Sequence, residues 1–359
     1  MATPSSDSEP SSSVPSTPSQ ATTDESLTFG LDGDLRLIVG TTMPKEMLVD
    51  SQALCQASSV FRTMLSNRFS EAKPEEGEWK VELPEDDPDA FADLMGMIHD
   101  EHDRPSFEPT ITRIYGVCIL TDKYDMAHVL RPIKRSMAEL ISRALRRSSH
   151  GSALHLLLIA WETGNREAFT TLLMRIILSS TTSEEDGSFL CEDQGLENHK
   201  AIEVCGAYDT IVECRDSILK AVFRKYNDTL LQLVNDTDLE EFCDENECPW
   251  EKKVSTTNVA VLGTFMQHSF TLGILDHFYL LDPSPFSGSI NDMESCLNEV
   301  KEARRICRCG GPVTQILADM AEKRDEQATW LLADDQEEHL RIQAAKFEPP
   351  RHLHDIDML

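Results

Sequence analysis

Hydrophobic and polar positions begin to alternate near residue 35. In DLRLIVG, Leu35, Leu37 and Val39 share one face, which predicts a strand with a buried side. Met47 and Val49 share a face in KEMLVDS, and Met43-Pro44 ahead of them is a turn signal, so this segment is expected to be the hairpin partner. The period then changes. In SQALCQASSVFRTMLSNRF, Leu54, Ala57, Phe61, Met64 and Leu65 recur at helical spacing, predicting one helix that Asn67 and the loop KPEEGE bring to an end. Trp79, Val81 and Leu83 alternate up to Pro84, a third strand. DPDAFADLMGMIH predicts a helix with Asp87 as N-cap, Pro88 at its first position, and Phe91, Leu94, Met95 and Ile98 facing inward. Ile111, Ile114, Tyr115, Cys118 and Ile119 predict the next helix, and another begins near Met126.

Beyond residue 140 the pattern is mostly helical. ALHLLLIAW and the run through LLMRIIL flank Thr163-Gly164-Asn165, where glycine suits a helix C-cap and Asn-Arg-Glu opens a new helix, so a helical hairpin is expected. Ile211, Ile218, Val222, Tyr226, Leu230 and Leu233 form one long stripe, and Val261, Leu262, Phe265, Phe270, Leu272 and Leu275 form another. The chain thus divides into four parts: a tail over 1–26, a mixed α and β domain over 27–140, a helical domain over 141–345 and a flexible end over 346–359. The first tail holds nine Ser, four Thr and four Pro with almost nothing large and apolar, a composition that cannot offset the entropy of ordering.

Charge narrows the partners. The chain carries 63 Asp+Glu against 33 Lys+Arg, a formal net charge of −30. A surface this acidic repels phosphates, so neither nucleic acid nor an anionic membrane is expected as a partner. The longest apolar runs, at 153–161 and 172–178, fall short of the roughly 20 residues that span a bilayer and are interrupted by His155 and Arg175. The start, MATPSSDSEPSSS, has neither the basic opening nor the apolar run of a signal peptide, which predicts an intracellular protein, nuclear or cytoplasmic, with reduced cysteines.

The motifs of common enzyme classes are absent: the sequence has no phosphate loop, dinucleotide fingerprint, nucleophile elbow or His-Glu-x-x-His. The acid pairs Asp86-Asp87 and Glu184-Glu185 read as solvated loop residues rather than general acid and base. Cys243, Cys248, Cys307 and Cys309 offer four thiolates, enough for tetrahedral zinc, but a four-residue gap and a Cys-x-Cys pair fit that geometry poorly. They are read as ordinary thiols, with zinc the competing reading; no cofactor is expected.

Taken in order, these residues resemble the BTB/POZ domain, in the form common in fungal proteins, over about residues 30–140. The resemblance lies in Asp34 to Gly40, the strand-to-helix passage Val49 to Leu54, the spaced set Ser58, Phe61 and Leu65, then Phe69-Ser70-Glu71, Val81 to Leu83, Phe91 and Tyr124. It implies an α+β fold: a small mixed sheet flanked by a helical cluster, here followed by the mostly α-helical domain, which resembles the extension after the domain in many fungal members. Two places depart from the family. Asp50 stands where many members carry a histidine, and only LTFGLDG precedes the opening strand, where the longer form has a strand and helix exchanged between protomers.

BTB domains bind other proteins, so the resemblance implies a non-enzymatic interaction module coupled to an acidic helical partner-binding domain. A homodimer through the domain is a candidate assembly. Some members seat a substrate receptor on a cullin of a ubiquitin ligase through a hydrophobic-x-Glu element after the central helix, and Phe69, Ser70 and Glu71 hold that place here. A cullin is then the implied partner and ubiquitin-ligase adaptor the implied role. A transcriptional or chromatin scaffold without direct DNA binding is the other reading.

Overall fold

The structure, a computed structural model, describes residues 26–30, 32–99, 109–146, 152–234, 263, 266–267, 270, 286–302 and 311–348. The expected terminal tail up to residue 25, the four cysteines weighed for zinc and nearly all of the apolar stripe at 261–275 lie outside the described residues.

A four-stranded mixed sheet opens the fold, in the order β1 (Leu27–Thr28), β3 (Lys45–Val49), β2 (Leu35–Val39), β4 (Lys80–Leu83). β2 pairs antiparallel with β3 and parallel with β4, with Leu37 opposite both Met47 and Val81. The register puts Leu35, Leu37, Val39, Met47, Val49, Val81 and Leu83 on the buried face, as the alternation requires. Gly40 ends β2 at φ +89°, and a Cβ there would sit 2.7 Å from the Pro88 ring.

The helix expected over 51–65 is two helices, α1 (Ser51–Ala57) and α2 (Ser59–Met64), broken at Ser58. Periodicity alone hid the break, because a serine hydroxyl can satisfy backbone groups that a continuous helix would have paired. Ser58 takes an extended conformation, its Oγ accepting the Phe61 N–H at 3.0 Å and donating to the Tyr124 carbonyl at 2.6 Å. α3 (Pro88–Ile98) starts as its sequence indicates: Asp87 accepts the Ala90 N–H at 2.7 Å, with Pro88 just inside. α4 (Ile111–Lys123) follows. The segment expected to be a helix from Met126 is a 3-10 turn over Ala127–Ile133, holding Pro132, that runs into α5 (Lys134–Arg146).

Tyr124 ties these parts together. Its ring stacks on Phe61 at 4.4 Å and meets Phe91 edge-on, and its hydroxyl donates to Asp86 at 2.5 Å. Asp86 also takes the Lys123 ammonium at 2.7 Å and is 6% exposed, so the reading of Asp86 as a solvated loop acid is corrected. Tyr124→Phe leaves that buried carboxylate short of a donor and is expected to cost about 2 kcal/mol in chemical denaturation.

The rest is mostly helical: α6 (Ala153–Glu162), α7 (Arg166–Ser179), α8 (Lys200–Cys205), α9 (Tyr208–Val234), α10 (Ile290–Glu302), α11 (Gly311–Thr329) and α12 (Asp334–Lys346). α6 and α7 form the expected hairpin, with Gly164 at φ +63° and Asn165 capping α7 through the Ala168 N–H. Within this mostly helical half, a small antiparallel sheet of β5 (Thr181–Thr182), β6 (Phe189–Cys191) and β7 (Gln194–Gly195), which the sequence pattern did not indicate, lies between α7 and α8. Its strands are too short to show a period of two. Its tight turn uses Glu192 and Asp193 at positive φ, where Asn-Gly would have been the readable signal.

Buried side chains run without interruption from the four-stranded sheet through α4 and α6 to α9 and α12. α5 runs through residue 140, and α4 packs along α6. Among the described residues, no helix is long and apolar enough to cross a membrane.

Candidate protein-interaction surface

The segment after α2 is where sequence placed an interaction element, and a series of short backbone turns shapes it. Leu65 closes α2 and is buried; the chain then turns through Arg68 N–H to Ser66 carbonyl at 2.7 Å and Ala72 N–H to Phe69 carbonyl at 3.2 Å. This folding carries the Phe69 ring outward. It is 50% exposed, whereas the core beneath is closed by Leu65 and Trp79. A phenylalanine serving only to seal helix against sheet would be buried.

Glu71 follows two residues on, fixed through its own backbone. The Trp79 indole N–H donates to the Glu71 carbonyl at 2.8 Å, while Ser70 Oγ donates to the Glu71 carboxylate at 2.9 Å. The carboxylate is therefore oriented by the exposed serine beside it, and Glu71 as a residue is partly buried. Lys73 lies over the Trp79 ring at 5.3 Å and reaches Asp34 at 3.0 Å, which ties the loop to the start of β2. Although burial opposes it, hydrogen bonds from the Ser51 backbone and from Lys73 hold the Asp34 carboxyl below its usual range. The three sequence-selected residues are thus brought together as one exposed loop with a fixed base.

Beside it lies a cleft of about 300 Å³ lined by Gly33, Asp34, Arg36, Lys73, Glu78 and Trp79. Its charges are already matched, since Arg36 pairs with Glu46 and Glu78, and Lys73 with Asp34. Asp50 caps α1 through the Gln52 and Ala53 N–H groups. Its own N–H donates at 3.2 Å to Nε2 of His99, the residue that closes α3. Sequence reading did not single out His99, because nothing in the helix period marks it.

Elsewhere, Glu184 and Glu185 are exposed, as expected for loop acids. Trp79 and Trp161 are buried in the core. Among the described residues, no group of three or more His, Cys, Asp or Glu side chains is placed to hold a metal ion. No protein-family model matches the chain, and neither the curated proteins nor the solved structures provide a match.

Proposed function

We propose that this chain is a BTB/POZ-type protein-interaction module, without catalytic activity of its own, whose helical half engages a second protein. The succession of strand, strand, two short helices, strand and helices over 35–123 supports the family reading. A single observation carries the functional one: Phe69 is half exposed shortly after α2, near a glutamate whose backbone carbonyl is held by Trp79 and whose carboxylate takes the Ser70 hydroxyl. An exposed aromatic with an oriented charge at its edge is the composition of a binding hot spot, the ring filling an apolar pocket and the carboxylate fixing its orientation.

The finer reading is a substrate adaptor of a cullin-type ubiquitin ligase, with Phe69, Ser70 and Glu71 contacting the cullin. The test is affinity capture from the native cell with the wild type and with Phe69→Ala/Glu71→Ala, quantifying co-purified proteins. Selective loss of cullin and ligase components from the double variant is the expected result. Capture of the same partners by both proteins, with no cullin among them, would sink the adaptor reading.

A further inference from the structure

Three helices meet at Glu162, the last residue of α6. Its side chain is wholly buried between Thr121 of α4 and Gln343 of α12. Thr121 Oγ1 lies 3.0 Å from Glu162 Oε2 and 3.1 Å from the Cys118 carbonyl oxygen, and Gln343 Nε2 lies 3.4 Å from Glu162 Oε1. A threonine hydroxyl has one proton, and both of these neighbours are oxygens. With Glu162 ionised, one of the two oxygen–oxygen contacts contains no proton. With Glu162 protonated, the chain closes: Gln343 N–H donates to the carboxyl C=O, the carboxyl O–H donates to Thr121 Oγ1, and the Thr121 hydroxyl donates to Cys118.

We propose that Glu162 stands in the fold as a neutral carboxylic acid that fastens α12 to the α4–α6 pair, and that loss of its proton to solvent loosens α12. The inference does not depend on the family resemblance.

The groups facing the carboxyl among the described residues are Cys118 and Asp122 from α4, Asp125 from the turn after α4, Cys205 from α8, and Lys346 from α12; Asp122 and Asp125 favour its neutral form. Lys346 is the cation among them, and it already pairs with Asp125 at 2.8 Å. Burial first, and the charge of Asp122 second, push the Glu162 pKa up to about 8. Burial also pushes the Asp122 carboxyl up, against Lys200 and Lys346.

The seat of α12 is unusually dependent on such polar groups. Its buried face presents Gln336, Leu340 and Gln343, with His339 stacked on Trp161 at 3.9 Å. The Trp161 indole N–H, His339 Nε2 and Gln343 Oε1 are buried there with no hydrogen-bond partner among the described residues. Unsatisfied polar atoms weaken a seat, so the helix depends on the hydrogen bonds that remain.

The direction of the pH effect follows. An ordinary Glu, as in the unfolded chain, titrates near 4.5, and the folded one near 8. The folded state alone holds the proton between those values, so the folding constant falls about tenfold per pH unit across that interval and then levels off. Burial pushes His128, His155, His199 and His339 below the ordinary 6.5, so they act at lower pH. The thiols of Cys118 and Cys205 are pushed above the ordinary 9.0 and act at higher pH.

Glu162→Gln reproduces the neutral pattern without a titratable proton: a carbonyl for Gln343 and an N–H for Thr121. The experiment is amide hydrogen exchange of Asp334–Lys346 in the full chain, wild type against Glu162→Gln. Taking the ratio cancels the intrinsic pH dependence of exchange. The ratio is expected to be above one already at about pH 6.5, to rise about thirtyfold by about pH 9, and to level off above about pH 8. A ratio constant across that range overturns the proposal. If the variant fails to fold, infrared spectroscopy of the wild type decides the matter. A protonated carboxyl C=O band at neutral pH that vanishes across about pH 8, in step with α12 exchange, supports the proposal. Absence of that band at neutral pH overturns it.

Discussion

Gly164→Ala is expected to destabilise the protein by about 3 kcal/mol or more, read as a lowered midpoint in chemical denaturation. Two costs add at this position. The backbone is left-handed at φ +63°, which alone costs a residue with a Cβ about 1–2 kcal/mol. The methyl group would also meet backbone, lying 2.2 Å from the Ala344 nitrogen and 2.5 Å from the Leu340 carbonyl oxygen of α12. Backbone cannot rotate aside as a side-chain tip can, so the α6–α7 turn must withdraw from α12. That withdrawal would also strain the Arg166–Glu337 ion pair across the same contact. Gly206→Ala is the control. Gly206 has nearly the same φ, +59°, but open space around it, so its loss is expected to cost only about 1 kcal/mol. Equal effects at the two positions would show that α12 does not press on the turn.

The second large effect is at Arg215, which is 4% exposed in the middle of the helical half. Its guanidinium donates to the Ser180 carbonyl at 3.3 Å, to Phe286 at 3.1 Å and to Gly288 at 2.7 Å, and it lies over the Phe189 ring at 5.6 Å. One side chain thereby joins the end of α7, the small sheet and the entry to α10. Burial pushes its pKa down to about 10, so it remains charged at neutral pH. Arg215→Met removes the donors while leaving three carbonyls turned inward, and a loss of about 3 kcal/mol is expected. Arg215→Lys should recover less than half, because an ammonium lacks the planar fork that reaches several carbonyls at once. A methionine variant as stable as the wild type would show that the carbonyls find other donors.

Where the structure meets a simple period, the sequence was legible. Leu35, Leu37 and Val39 named their strand, Asp87-Pro88 named the start of α3, and Thr163-Gly164-Asn165 named the hairpin. Legibility failed where a polar side chain did the work of a backbone partner or of a core residue. Ser58 splits one periodic run into two helices because its hydroxyl serves Phe61 and Tyr124, and a serine at a helical position carries no sign of that. Asp86 looked like any other loop acid until Tyr124 and Lys123 arrived from residues 37 and 38 positions away. α12 docks through Gln336, Leu340 and Gln343, a face too polar for hydrophobic periodicity to mark.

The loop after α2 divides in the same way. The family resemblance picked out Phe69, Ser70 and Glu71, but nothing in the sequence could show the ring turned outward or the indole of Trp79 anchoring the Glu71 carbonyl. Those depend on turns after α2 whose residues carry no special signature. Glu162 went unnoticed as one acid at the end of an apolar helix, and only its burial beside Thr121 and Gln343 gives it meaning.

The most direct test of the account is a binding titration between the purified full chain and the purified amino-terminal helical region of a cullin, by calorimetry, for the wild type and for Phe69→Ala/Glu71→Ala. Saturable binding by the wild type, weakened at least about tenfold in the double variant while its fold is retained, is the predicted result. Undetectable binding by the wild type, or equal affinity for both proteins, would contradict it.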